Sequence, residues 1–529
     1  MKQIWKRVWN NKISILILGF TGLYMIFDAV GLYCDRIRSI SQQTIVDLSC
    51  SFLKGTYICL VIFALAGFVV VHIGIKKRLS IEKLFVVVAV FIGLIYLIIL
   101  PVYSGLDEGM HVPTVYSYAN SILGKDAVDE EGNTLWRGDD DSIIYHDRDR
   151  FPSITTYANI YHHFGDKADE TTLHASEVNK LRPLSVTVLG YFPQVLGVVI
   201  GRMLHMGAVR VFLMGKLFIL LFYIFCMYWT IKRIPVGKEL KATIGLLPMT
   251  KEQVTSYSYD AVVLCACFLF IGIVLELIYS KRKVTWKDIA LLTILVLIMA
   301  MVKIVYFVIA LLCVAIPAES FGGKKKKFLA AVFIIFVGFA GIMFTRLSHI
   351  VEVTTGSTLA LYGQETYSLG YLFEGFSRPL KIVYSTLWEN ISFYLYSMLG
   401  IRLGWYDIPI PEFVLFGFTV VLFMTARKSK DELWNMPTEV KALALTAAVI
   451  CILGVEAALL LDYTTIDSIV VQGVHGRYFL PILPLLLLLF KGNSVVVEGS
   501  KMRSYFYVIY VLQYFSILHI VAYVSSRIL

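Results

Sequence analysis

Apolar runs of about 20 residues, the length that crosses a bilayer core, recur along the whole chain. The clearest are 13–33, 56–75, 83–101, 209–231, 261–279, 328–345, 440–461 and 505–524. Shorter or interrupted runs occupy 184–204, 242–258, 286–302, 305–320, 412–426 and 478–490. Pro248, Pro317, Pro481 and Pro484 fall at segment ends or in short helices, where neighbours can satisfy the backbone groups a proline frees. The pattern predicts an all-α polytopic membrane protein, a bundle of about 11–13 transmembrane helices.

Two polar stretches interrupt the pattern. The segment 102–183 is too polar for a bilayer and too long for a structureless loop, so a small helical subdomain is expected there. The stretch 346–411 contains Leu380 to Ile401, apolar but carrying Glu389 and Asn390. An amphipathic helix on the membrane surface suits it better than a span. No internal repeat and no charge pair deep in a span is apparent. The expected organisation is an added helix pair over 1–80 and a membrane core over 81–529.

Composition agrees. Of 529 residues, 58% are hydrophobic and 16% charged, with mean hydropathy +0.73. That excludes a soluble multidomain enzyme and a disordered chain. The net charge of +10 divides unevenly. The 102–183 segment holds 15 acidic and seven basic residues, or −8, which leaves +18 elsewhere. The excess sits in Lys2 to Lys12, Lys76 to Arg78, Lys281 to Lys283, Lys324 to Lys327 and Arg427 to Lys430. By the positive-inside rule these turns are cytoplasmic and 102–183, 346–411 and 462–477 face outward. The basic balance is therefore an orientation signal, and nucleic acid is not an expected partner. The cluster Lys232 to Lys241 also reads as cytoplasmic, which leaves room for one crossing between 184 and 231; 184–204 is expected to be re-entrant or interfacial. The eight cysteines lack zinc spacing and read as small buried hydrophobes, with a Cys34–Cys50 disulfide left open.

Candidate chemistry collects on the outward side. Asp107 and Glu108 follow the helix 83–101, with His111 one turn on. Adjacent carboxylates repel, so one can serve as a general base, and their hard oxygens also suit a divalent cation such as Mg or Mn. Equally, Asp107 is a good helix N-cap. Asp260, after Ser256-Tyr257-Ser258-Tyr259, opens an apolar helix, where capping alone would explain a carboxylate. Lys303 is costly at its depth unless it snorkels to the interface. His475-Gly476-Arg477-Tyr478 offers a guanidinium fork suited to phosphate. Gly404-Trp405-Tyr406-Asp407 reads as a rigid aromatic turn, part of a cleft or an interfacial anchor. Asp139 to Asp141 and His162-His163 read as solvated loop groups.

The ordered set Asp107-Glu108-Gly109-Met110-His111, Leu247-Pro248-Met249 with Tyr259-Asp260, Lys303 with Tyr306, Trp405-Tyr406-Asp407-Ile408-Pro409 and Gly476-Arg477-Tyr478-Phe479-Leu480-Pro481 resembles a bacterial membrane-protein family catalogued as domain of unknown function 2142. That family in turn is similar to the GT-C class of integral-membrane glycosyltransferases. The resemblance spans roughly 83–525. It implies a GT-C-like bundle in the bacterial plasma membrane, with an acidic residue of a large first extracytoplasmic loop acting as base or metal ligand. It also implies a polyprenyl-phosphate sugar donor, and a glycan or lipid-linked acceptor. Carried over, the catalytic roles fall to Asp107, Glu108 and Asp260. From their charge, Lys303, His475 and Arg477 would hold the donor phosphate, while His111, Tyr259, Trp405, Asp407 and Tyr478 would line the cleft. Gly109-Met110 departs from the family's more frequent residues, but the spacing to His111 is kept. Two other functions remain open: a transporter or flippase for lipid-linked saccharides, and a non-catalytic scaffold in polysaccharide assembly.

Overall fold

A computed structural model describes residues 50–527, apart from 139, 145–150, 169–171, 177–181, 185, 281, 351–366, 368–374, 376, 431, 433–435, 492–495 and 498–501. The predicted first helix, 13–33, with Cys34 and Asp139, lies outside the described residues.

The chain is a helical bundle. α1 (Cys50–Lys76) and α2 (Ile81–Ile99) lead into the 102–183 segment, which holds α3 (Glu108–Ile122), β1 (Leu135–Arg137), α4 (Asp140–Ile144), α5 (Ile154–His163) and β2 (Leu173–Ala175). The expectation of an all-helical subdomain needs correcting. β1 and β2 pair antiparallel, Trp136 opposite His174, because Trp136 packs into a cluster with Tyr116 and Phe212. Asp140 is structural there: it takes Arg137 through two bonds of 3.1 Å and Tyr116 Oη at 2.6 Å.

Next come α6 (Phe192–Met203) and α7 (Ala208–Arg233). Twelve residues of α6 rise about 18 Å, too little for a core of about 30 Å. α6 is a short helix packed on α7, a length that fits the re-entrant or interfacial placement expected for 184–204. The run 242–258 is also broken, into α8 (Lys238–Gly245) and α9 (Pro248–Gln253). Side chains from other helices satisfy the carbonyls at the break. Tyr223 Oη donates to Gly245 O at 2.6 Å, and Gln513 Nε2 donates to Leu246 O. Lys251 and Glu252 on α9 and Lys216 on α7 are buried inside the bundle, so ionisable groups are present where the sequence showed no deep charge pair.

α10 (Asp260–Ser280) is the central helix, buried along nearly its whole length. α11 (Trp286–Val302) returns toward Lys303, and residues 304–315 follow as a 3-10 helix. At about 2.0 Å per residue, those 12 residues reach about 24 Å, further than an α-helix of equal length. α12 (Lys324–Ile350), α13 (Ser377–Leu399), β3 (Arg402–Leu403), β4 (Ile408–Pro409), α14 (Glu412–Thr425), β5 (Lys428–Ser429), α15 (Thr438–Tyr463), a 3-10 turn over 476–482, α16 (Leu483–Leu488), β6 (Val496–Val497) and α17 (Tyr505–Ser525) complete the chain. Among the described residues, seven helices are long and apolar enough to cross a membrane, with shorter apolar helices between them. The outermost helices leave Ile62, Leu65, Phe336 and Phe344 exposed; lipid tails cover such side chains at no cost. On α13, Leu380, Tyr384, Trp388, Ile391 and Leu395 form one exposed stripe at helical spacing.

Ion pairs stitch the end of the bundle that carries the basic turns. Arg282 joins Glu276 at 3.2 Å and Asp288 at 2.8 Å, and Lys491 joins Glu432 at 2.7 Å. The opposite end gathers the 102–183 segment, the turn before α10, Lys303, the 402–409 hairpin and residues 475–478.

Candidate active site

α2 ends at Ile99, and the chain turns through Pro101 to Asp107, which sits at the N-cap of α3 in the left-handed region, φ 61°. Its carboxylate makes no capping hydrogen bond. Instead Oδ2 accepts from Arg477 Nη2 at 2.5 Å. A non-glycine residue in this conformation is uncommon, and here it directs the carboxylate across the cleft.

Arg477 is held from behind. Gly476 lies against α13 so closely that a Cβ would come 2.1 Å from Tyr394 O and 2.4 Å from Met398 N. Gly476 N donates to Ser397 Oγ at 3.1 Å, and Tyr306 Oη donates to Tyr478 O at 2.7 Å. The guanidinium itself is 5% exposed. Its Nε has no hydrogen-bond partner and points toward Asp260 Oδ2, 3.9 Å away. Asp260 Oδ1 accepts from Lys303 Nζ at 2.8 Å. Lys303 in turn lies 4.0 Å above the Tyr478 ring and 5.6 Å from that of Tyr259. The structure thus joins Asp107, Arg477, Asp260 and Lys303 in one alternating chain of two carboxylates and two cations.

Glu108 stands apart from it. It is 1% exposed, and its two oxygens accept from Tyr257 N at 2.8 Å and Gly105 N at 3.0 Å. The adjacent pair therefore divides: Asp107, with its side chain 48% exposed, faces the cleft, and Glu108 ties α3 to the turn before α10. Glu108 is engaged by backbone N–H groups and Asp107 by a guanidinium, and among the described residues no three His, Cys, Asp or Glu side chains are arranged to hold a metal ion.

The walls are aromatic. His111 Nδ1 shares a hydrogen with Tyr191 Oη at 2.7 Å, and the His111 and Tyr259 rings meet edge-on at 5.0 Å. Opposite, the Tyr406 and His475 rings lie 4.9 Å apart, with Tyr478 5.9 Å from His475. Tyr406, like Asp107, has a positive φ, 60°. Trp405 belongs to the same turn, whose position Glu252 sets by accepting from Gly404 N at 2.8 Å. Asp407 turns away from the charge chain to pair with Arg527 at the end of α17. Glu252 was missed from the sequence. Its signal was a Lys-Glu pair inside the apolar run 242–258.

Burial pushes the Asp107 carboxyl up, but the Arg477 guanidinium outweighs burial and holds it below the usual carboxylate value. Burial pulls the His111 imidazole down to about 4, with Asp107 opposing, and that of His475 to about 4, with Arg477 adding to the effect. At neutral pH both rings are uncharged, and Asp107 is ionised.

Fold and site together define an all-α polytopic membrane protein with a polar, charge-balanced cleft at one end of its bundle. The family model for DUF2142, predicted membrane protein, matches residues 90–486, and the chain belongs to that family. No curated protein and no solved structure matches it.

Proposed function

We propose that the protein is a GT-C-type glycosyltransferase of the bacterial plasma membrane. In this reading it moves a sugar from a polyprenyl-phosphate donor to a surface glycan or lipid-linked acceptor at the extracytoplasmic face. The observation that supports it most is the half-exposed Asp107 carboxylate paired with Arg477, with Lys303 joined to the same cluster through Asp260. The acceptor oxygen attacks the sugar carbon while its proton passes to Asp107. The bond from that carbon to the phosphate oxygen breaks, and the electron pair leaves with the phosphate, whose charge Arg477 and Lys303 receive. Attack opposite the leaving group inverts the sugar carbon. The Tyr406, His475 and Tyr478 rings offer apolar faces to the sugar. Comparing surface-glycan composition by mass spectrometry between wild type and an Asp107→Asn strain tests this reading. Loss of one sugar with undiminished membrane protein is expected; an unchanged glycan defeats it.

A second reading, transport of a lipid-linked saccharide, draws support from the broken helix α8–α9 with Lys251 and Glu252 buried beside the break. Interrupted helices carrying interior ionisable groups are common at transporter sites. Purified protein in vesicles decides between the two: exchange of lipid-linked sugar between leaflets without transfer favours transport.

A further inference from the structure

We propose that the Asp107–Arg477 pair is a latch opened by an anionic phosphate ester, which takes the guanidinium and releases the Asp107 carboxylate into the cleft. The proposal rests on the reading of Asp107 as the base and adds an order to it: the anion binds first, the hydroxyl acceptor second.

Four observations carry it. The base and the anion receptor are bonded to each other, Asp107 Oδ2 to Arg477 Nη2 at 2.5 Å, so each occupies the other's binding edge in the resting cleft. Arg477 still has a free donor, the buried Nε, and a buried N–H without an acceptor is costly. A phosphate can accept from Nε and Nη2 together, the paired geometry a guanidinium favours. Lys303 is close to the same place: it shares Asp260 with Arg477, and both cations lie within 5.1 Å of the centre of the Tyr478 ring.

The fourth observation settles which partner moves. The four charges sum to zero, so an arriving anion leaves one carboxylate in excess. Asp260 is 10% exposed and bonded to Lys303, whereas Asp107 is 48% exposed and bridges to Arg477 from a strained backbone position. Arg477 is pinned through Gly476 and Tyr478. Displacing Asp107 toward water is the least costly response, and it places the carboxylate beside the newly bound phosphate ester.

Equilibrium binding to the purified full chain in detergent tests the latch, with inorganic phosphate and farnesyl phosphate as separate probes. Asp107→Asn removes the internal competitor, so it should bind the anion roughly five- to tenfold more tightly than wild type. Arg477→Gln should bind at least about tenfold more weakly. A gain confined to farnesyl phosphate supports the latch with a lipid headgroup as its key; an equal gain for both probes supports it with phosphate itself as the key. Unchanged or weaker binding by Asp107→Asn overturns it. Asp107→Ser repeats the test on a second side chain, and each variant's unfolding midpoint checks its fold. Because this readout needs no sugar transfer, the two ideas separate. Tightened binding without any transferase activity leaves the latch and removes the reaction; transfer with unaltered anion affinity does the reverse.

Discussion

Asp107 and Arg477 are 370 positions apart in the chain and 2.5 Å apart in the fold. That contact turns a helix N-cap into a cleft carboxylate. Asp107→Asn keeps the side chain's shape and removes its capacity to accept a proton. Transfer should fall by about two to four orders of magnitude while the protein still accumulates in the membrane. Arg477→Lys keeps the charge and loses the fork, so an intermediate loss is expected in the same assay.

Glu108 gives a different outcome although it is the next residue. Its carboxylate satisfies two buried backbone N–H groups. Glu108→Ala strands both, at a cost of about 1–3 kcal/mol each. The expected result is a lowered unfolding midpoint in detergent, with Glu108→Gln falling between Ala and wild type. Loss of transfer at an unchanged midpoint would show Glu108 to be the reacting group instead.

The division between the two acids marks how far the sequence could be read. Periodicity located the long spans because apolar length alone determines them, and the charges of the turns indicated one busy end. The four residues of the charge chain were all visible in the sequence, Lys303 as a costly group at depth, and Asp107, Asp260 and Arg477 as charges at the ends of apolar runs. Which of Asp107 and Glu108 faces the cleft depends on one left-handed backbone angle and on Tyr257 N, 149 positions away. No local pattern encodes either. The breaks at 203–208 and 246–247 were legible only as shortness, because the partners that close the second, Tyr223 and Gln513, come from distant helices. The β1–β2 pairing was hidden for a similar reason: each strand is three residues long and depends on the aromatic cluster around Trp136.

The charge chain also fixes a pH response. Arg477 depresses the folded-state value of Asp107, so the pair's contribution to stability is complete above the ordinary carboxylate value. It is lost as pH falls through the lower folded value. The groups facing Asp107 are Arg477, His111 and Asp260, and His111 titrates near 4. The kcat/KM profile should therefore be flat from about pH 5 to neutrality. His111→Gln should leave that plateau in place. An acid limb near the ordinary imidazole value, about 6.5, would assign the base to histidine.

Glycine provides the sharpest structural test of how Arg477 is held. In Gly476→Ala the new methyl meets backbone atoms of α13 at 2.1 and 2.4 Å. Backbone inside a packed helix cannot swing aside as a side chain can, so the 3-10 turn must lift off α13 and carry Arg477 with it. Phosphate binding and transfer should both fall, and the unfolding midpoint should drop. Gly454→Ala is the matched control. Its methyl would sit 3.6 Å from Val305, an ordinary contact, in the interior of α15. There alanine should be neutral or stabilising by about 0.5–1 kcal/mol. If Gly476→Ala matched Gly454→Ala in midpoint and in phosphate affinity, the close approach of residue 476 to α13 would not be what positions Arg477.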